Sequence, residues 1–341
     1  MIEVTLGRTS IKSNIIGFGA LPIQRVSKEE AISLLRKAYD AGITYFDTAR
    51  GYSDSEEKIG LALSDVRDKI YIATKSLAQT GEDLNTELET SLRLLKTDYI
   101  DVYQLHNPAF VPVPGDESGL YDTALKAKEK GLIRYIGFTN HRIKVAEEAV
   151  LSGLYDILQF PFSYLASEAE KNLVNLCREE NIGFVAMKAL AGGLITNAAA
   201  AYAYLAGYDN VLPIWGVQRE NELDEFISFI SNPPHLTDEL KSIIENDQSQ
   251  LSGNFCRGCA YCMPCPVNIQ INNCARMSQL IRRSPSSFWV SEDGQKMMNL
   301  IEECINCNKC IEKCPYDLNT PVLLKQNLND YKNIISGVTV I

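Results

Sequence analysis

The chain has 341 residues, 45% hydrophobic and 22% charged, a globular composition long enough for one large domain and a small one. Its 33 basic and 43 acidic side chains leave a net charge of −10, which argues against nucleic acid or an anionic membrane surface as a partner, since both favour a basic face. No membrane span is expected, because the most apolar stretch, AAAAYAYLAGY from Ala198, falls well short of the ~20 residues a spanning helix needs.

The opening MIEVTLGRTSIKS lacks the basic, apolar, small-residue progression of a signal peptide. A reducing cytoplasm is the expected setting, so the ten cysteines need an explanation other than disulfides. The same opening reads as a small hairpin with Gly7 in its turn, closing the bottom of the domain.

From residue 14 to about 230, short apolar runs alternate with amphipathic ones. The runs are NIIGFGA, ITYFD, IYIATK, YIDVYQLH, IRYIGFTN, DILQF, GFVAMKAL and VLPIWGV. Between them lie stretches of helical spacing such as SKEEAISLLRKAYDAG and GEDLNTELETSLRLLKTD. Ser27, Ser55 and Thr237 are expected helix N-caps, and Gly42 a left-handed C-terminal cap. Eightfold alternation implies a parallel sheet closed into a (β/α)₈ TIM barrel. The rival is an open doubly wound sheet, which would carry a glycine-rich phosphate fingerprint after its first strand. Here that strand ends GFGALP, with no third glycine and a proline where the helix should begin. Cys177, inside the helical NLVNLCREEN, reads as a small buried hydrophobe.

Past residue 235 a last helix, LTDELKSIIENDQSQL, ends in SGN, and cysteine density then jumps. The expected organisation is a barrel over residues 1–250, a small, mainly α-helical cysteine-rich domain over 251–320 and a tail over 321–341.

Barrel active sites lie at the C-terminal ends of the strands. The second expected strand ends at Asp47, with Tyr52 on the loop beyond; the third ends at Lys75 and the fourth at His106. One βα unit separates each strand end from the next, so the groups sit side by side. A phenol is a reluctant acid at pH 7, and a nearby ammonium should make it a better one. The carboxylate would hold the lysine charged, and the imidazole would orient a carbonyl and share the proton. His141 follows the fifth strand, and His235 reads as part of a surface loop.

FDTARGY, TK and LH resemble the Asp-Tyr-Lys-His tetrad of the aldo-keto reductases, here Asp47, Tyr52, Lys75 and His106. The resemblance implies hydride transfer between a nicotinamide and a carbonyl or alcohol, with Tyr52 giving or taking the proton. It implies that Thr139 and Asn140 of GFTNH, with Gln159 of LQF, hold the nicotinamide carboxamide, and it counts Gly19 among the cofactor-facing positions. Two departures stand out. Met187, with Lys188 beside it, replaces the family's stacking tyrosine; a thioether covers a ring more loosely. Gly216 and Val217 replace the Lys-Ser pair of NADPH-preferring members, and Glu222 falls near the place of their arginine. A carboxylate there would repel a 2′-phosphate, so NADH is favoured over NADPH, with Arg219 the one compensating cation. Trp215 reads as packing at the barrel rim. Pro108 and Phe110 suggest an apolar wall for the substrate.

The tail holds CRGCAYCMPCP and CINCNKCIEKCP. The second run, Cys304, Cys307, Cys310 and Cys314 before a proline, has the spacing of bacterial ferredoxins. The first, Cys256, Cys259, Cys262 and Cys265, is one residue shorter before its last cysteine. Paired C-x₂-C units also bind zinc, but seldom as three such cysteines followed by Cys-Pro. In two-cluster ferredoxins the fourth cysteine ligates the other cluster. By that resemblance Cys256, Cys259 and Cys262 pair with Cys314, and Cys304, Cys307 and Cys310 with Cys265, with Cys274 in reserve. Two [4Fe-4S] clusters are implied, joined by two helices over MSQLIRRSPSSFWVSEDGQKMMNLIEE.

The whole chain thus resembles the ferredoxin-fused branch of the aldo-keto reductases. The implied function is an oxidoreductase whose barrel acts on a small carbonyl or alcohol. Its clusters would pass electrons to or from a redox partner, a ferredoxin or flavoprotein. Clusters move single electrons and a nicotinamide moves a hydride, a mismatch that a flavin usually bridges. No flavin motif is recognisable, although barrel loops after strands seven and eight can hold a flavin phosphate. The alternative is a plain NAD(P)H reductase, or a nucleotide-binding redox sensor, whose iron-sulfur domain is structural or sensory. A third reading makes the barrel a docking scaffold for an electron-transfer subunit, which the intact tetrad argues against.

Overall fold

All eight apolar runs become parallel strands of one closed barrel. In the computed structural model, which describes residues 2–251, 255–283 and 286–339, a two-stranded antiparallel hairpin comes first: β1 (Glu3–Thr5) and β2 (Lys12–Asn14). Gly7 lies between them at φ +50° and bridges Ile182, just before a barrel strand begins. A Cβ on Gly7 would stand 2.4 Å from the Gly183 nitrogen, so only glycine allows this approach.

The barrel strands are β3 (Gly17–Gly19), β4 (Tyr45–Asp47), β5 (Tyr71–Ser76), β6 (Ile100–His106), β7 (Ile133–Thr139), β8 (Ile157–Pro161), β9 (Gly183–Met187) and β10 (Val211–Gly216), and β10 closes on β3. Most of their residues are buried, as expected of a parallel sheet wrapped by helices. Trp215 packs as expected: it is buried, stacks on Phe226 at 4.6 Å and donates its indole N–H to the Ile15 carbonyl.

Helix punctuation follows the sequence in three of four places. Ser27 and Glu30 form a reciprocal capping box, Gly42 ends that helix at φ +94°, and the Thr237 hydroxyl accepts from the Leu240 N–H. Ser55 does not cap. It is the first residue of the helix Ser55–Leu63, fully buried, and its hydroxyl donates to the Ala20 carbonyl and accepts from Thr48. Burial gives that hydroxyl partners across the loops instead of on its own helix. The AAAAYAYL helix, Ala198–Leu205, is mostly buried, and Cys177 is fully so.

The chain divides into two compact units, residues 1–189 with 198–240, and residues 190–197 with 241–341. The division therefore precedes the expected 251. The reason lies in the helix Asp238–Gln250: Asp247 pairs with Arg283 at 2.9 Å, and Gln250 accepts from the same guanidinium at 2.7 Å. The SGN expected to end that helix, residues 252–254, lies outside the described residues. Among its described residues, the segment expected as two joining helices holds three α-helices, Met277–Arg283, Ser287–Val290 and Glu292–Asn299, and a 3₁₀ turn, Leu300–Glu303. The expected tail is a helix, Thr320–Ile335, opened by an Asn319 cap and Pro321. It sets Leu324, Leu328, Tyr331 and Ile334 into a core with Ile271, Met277, Trp289 and Met298. Among the described residues no helix is long and apolar enough to cross a membrane.

Candidate active site and cysteine hollows

β4, β5 and β6 lie side by side, with Asp47 registered on Ala73 and Lys75 on Gln104. The Lys75 ammonium donates to Asp47 Oδ1 and to the Thr48 carbonyl, each at 2.6 Å, with both side chains of the pair buried. It stands 5.2 Å from the centroid of the Tyr52 ring, and the Tyr52 and His106 rings meet nearly perpendicular with centroids 6.1 Å apart. The structure therefore gathers all four tetrad residues. Burial pushes the Asp47 carboxyl up and the Lys75 ammonium down, while each charge favours the other.

The Tyr52 phenol departs from expectation. Burial, and then the charge of Asp47, push it above the ordinary phenol range. Lys75 does not make it a stronger acid here, because that cation is neutralised by a carboxylate at 2.6 Å. At neutral pH Tyr52 keeps its proton.

Burial, followed by the Lys75 charge, brings the His106 imidazole down to about 3, so it is neutral over the physiological range. Burial and the nearby Lys188, His106 and Arg142 also push His141 well down. A consequence for stability follows. The unfolded chain takes up protons on these histidines below pH ~6.5, while the folded chain resists them. Stability is therefore present above pH ~6.5 and falls with acidification, by roughly 2 kcal/mol for His106 between pH 6.5 and 5. Urea melts across that interval should show the slope, and His106→Gln should flatten it; an equal slope in the variant would remove His106 from the account.

Gln104 is the site residue that sequence reasoning missed. It lies two residues before His106, hence on the same face of β6. Its Nε2 donates to Gln159 Oε1 at 2.7 Å and approaches Asp47 at 3.4 Å, while Gln159 Nε2 reaches the same carboxylate at 3.4 Å. Gly137 on β7 makes the room: a Cβ there would stand 2.6 Å from Gln104 Cγ. His106, Thr139 and Gln159 form one row across β6, β7 and β8. Asn140 is committed differently from the expectation. Its Nδ2 donates to the Pro108 carbonyl, and its Oδ1 accepts from the His141 and Arg142 N–H groups.

Around the rim, Met187 ends β9 half-buried, and Lys188 follows in a left-handed conformation, φ +57°. Gly19 and Gly216 are Cα partners at the ends of β3 and β10, leaving a stretch of bare backbone there. Glu222 Oε2 accepts from the Gln218 and Arg219 N–H groups at 3.0 and 3.1 Å, opening the helix Glu220–Ser231. Arg219 is mostly exposed and 3.6 Å from the same carboxylate. His106 Nδ1 and Asn107 Oδ1 are buried without hydrogen-bond partners, a polar demand that a bound ligand could meet.

The eight clustered cysteines line two hollows. One is bordered by Cys256, Cys259, Cys262 and Cys314, the other by Cys265, Cys304, Cys307 and Cys310, with Cys262 touching both. Cys274 borders neither; it is fully buried, with its sulfur 3.7 Å from the Met297 carbonyl oxygen. The two runs share a backbone pattern. Left-handed residues fall two and four places after the first cysteine of each run, at Gly258 and Ala260, then at Asn306 and Asn308. A third falls three places after each last cysteine, at Asn268 and Asp317. Among the described residues, no three His, Cys, Asp or Glu side chains are gathered as closely as a single metal ion needs.

A family model described as the aldo/keto reductase family matches residues 15–200, and one described as a 4Fe-4S dicluster domain matches 255–319. The NADH-specific methylglyoxal reductase of Escherichia coli is 29% identical over 248 residues, covering 65% of this chain and 74% of that protein. The aldo-keto reductase YhdN of Bacillus subtilis is 28% identical over 215 residues, covering 58% of this chain; the match spans 64% of YhdN, just under two thirds. Among solved structures, the aldo-keto reductase AKR11C1 from Bacillus halodurans superposes with TM-score 0.64 at 22% identity, over 72% of this chain and 96% of that one. An aldo-keto reductase from Klebsiella pneumoniae in complex with NADPH does so with TM-score 0.63 at 21% identity, over 72% and 94%. At such identities the likeness speaks to the barrel fold.

Proposed function

The chain belongs to the aldo/keto reductase family, and from that premise we propose that it reduces a small aldehyde or ketone with a nicotinamide coenzyme, or oxidises the alcohol in reverse, while two [4Fe-4S] clusters exchange electrons with a redox partner protein. The observation that carries the reading is the buried Asp47–Lys75 ion pair beneath Tyr52 and beside His106.

The bound nicotinamide supplies hydride chemistry. The chain's own residues do the rest. Tyr52 Oη, still protonated at neutral pH, gives its proton to the carbonyl oxygen. Neutral His106 donates a hydrogen bond to that oxygen and so orients it. Lys75, held in place by Asp47, stands against the Tyr52 ring and fixes the position from which its hydroxyl acts. Gln159, positioned by Gln104, and Thr139 hold the carboxamide, while Met187, Lys188, Gly19 and Gly216 border the coenzyme's path.

NADH is the preferred coenzyme. Glu222 already occupies N–H groups at the start of the helix Glu220–Ser231, the kind of place where a 2′-phosphate would otherwise bind. Its charge repels a phosphate and suits ribose hydroxyls. The name of the E. coli relative points the same way and makes methylglyoxal the first substrate to try.

The cysteines fit two clusters: Cys256, Cys259, Cys262 and Cys314 around one hollow, Cys304, Cys307, Cys310 and Cys265 around the other. The repeated left-handed positions support Cys265 as the counterpart of Cys314 despite the shorter spacing. Such clusters supply one-electron exchange. A flavoprotein partner, able to take electrons singly or in pairs, is the class that suits both halves.

The test uses protein purified without oxygen. Methylglyoxal should be consumed with NADH faster than with NADPH, and Glu222→Gln should narrow the ratio of kcat/KM values about tenfold. NADH alone, or with a flavoprotein, should bleach the cluster absorbance. Aldehyde turnover with clusters that stay oxidised in both cases would sink the electron-relay half of the reading, and no turnover would sink the reductase half.

A further inference from the structure

Among the described residues, Arg276 is a buried cation without a carboxylate partner. It is 7% exposed. Its Nη2 donates to the Gly192 and Ala191 carbonyls at 2.7 and 3.4 Å, and its Nε is buried with no partner at all. The guanidinium lies on the first cysteine run: a Cβ on Gly258, the left-handed residue between Cys256 and Cys259, would stand 2.2 Å from Arg276 Nη1. The Gly258 N–H in turn donates to the Cys256 sulfur at 3.4 Å.

A charge buried against carbonyl oxygens alone is costly unless an anion is near. Four thiolates around an iron-sulfur core leave a net negative group, and the cysteine run on which this guanidinium lies lines the hollow of Cys256, Cys259, Cys262 and Cys314. The other hollow differs. Among the described residues its one bordering cation, Lys309, is exposed, and so is Cys307, so solvent screens the charge there. Arg257 also borders the first hollow, half-buried over the Phe255 ring. A cluster grows more negative when reduced, so a fixed, desolvated cation beside it stabilises the reduced form.

We infer that Arg276 sets the two clusters apart in potential, making the one held by Cys256, Cys259, Cys262 and Cys314 the first to accept an electron. The inference rests on the two-cluster reading above. Exposure of the second site works in the opposite direction, and the desolvated charge of Arg276 outweighs it.

The experiment is an EPR-monitored potentiometric titration of full-length wild-type protein, Arg276→Gln and Arg276→Lys, with iron and sulfide counted first. Wild-type protein short of two clusters' worth after anaerobic reconstitution overturns the two-cluster reading itself. With both clusters present, wild type should reduce in two separated steps, the upper one being the step lost in Cys314→Ser. In Arg276→Gln the reduced-to-oxidised ratio of that cluster at fixed potential should fall about tenfold, which is about 59 mV for a one-electron couple. The lower step should stay in place, and Arg276→Lys should remain near wild type. Titration of the Gln variant like wild type, or a common shift of both steps, overturns the inference. Should neither variant load the first cluster, wild type decides: an upper step assigned by Cys314→Ser supports the inference, and a single unresolved step overturns it.

Discussion

Tyr52→Phe should lower kcat for carbonyl reduction by roughly 10²- to 10⁴-fold, the usual worth of a positioned proton donor, while leaving NADH affinity and iron content unchanged. The substitution removes one hydroxyl and keeps the ring. The perpendicular contact with His106 and the 5.2 Å approach to the Lys75 ammonium both belong to the ring, so the packing survives. Steady-state kinetics with a separate measurement of coenzyme binding decide the matter; a variant keeping more than about a tenth of wild-type kcat would show that the proton comes from elsewhere. Lys75→Met is the poorer probe. It strands Asp47, 2% exposed, without its partner. A broken buried ion pair costs about 3–5 kcal/mol, so lost activity could not be told from lost fold.

The second large effect concerns the crossed ligand sets. Cys314→Ser and Cys265→Ser should each halve the bound iron, and Cys274→Ser should leave it intact, since that thiol borders neither hollow. Double variants give the sharper result. Cys256→Ser with Cys314→Ser should keep half the iron, because both changes strike one cluster. Cys256→Ser with Cys265→Ser should keep none. If each run instead supplied its own four ligands, these two results would be exchanged, so one iron assay separates the arrangements.

The barrel was legible because each strand ends one βα unit after the last, and the tetrad because three of its members occupy consecutive strand ends. The helix Thr320–Ile335 also left a signal, apolar residues at 324, 328, 331 and 334 behind an Asn-Thr-Pro start, but its place after the last cysteine made it look like a tail. Other features depend on partners that no local pattern encodes. Ser55 sits where a cap should be, yet its burial hands it to Ala20 and Thr48. Acid strength at Tyr52 turns on whether Lys75 has its charge to spare, and a distance of 2.6 Å to Asp47 answers that. The division of the chain ahead of residue 251 rests on Arg283 reaching Asp247 and Gln250. Gln104 was readable only by strand parity, once His106 had been placed.

The crossing proposed for the cysteine sets also bears on chain topology. A cluster that joins Cys262 to Cys314 closes a loop of roughly 50 residues, and one that joins Cys265 to Cys304 closes a loop of roughly 40 inside it. By the arithmetic used for disulfides, a cross-link over such a span removes about 4 kcal/mol of unfolded-state freedom. The two links are nested, so the inner one adds less than the outer. A backbone cut between the runs, for example near residue 290, would then leave two fragments still tied together through sulfur and iron. With their shared apolar core unfolded, they would part only when the metal is stripped, so the clusters would serve this small unit as the inorganic equivalent of a pair of disulfides.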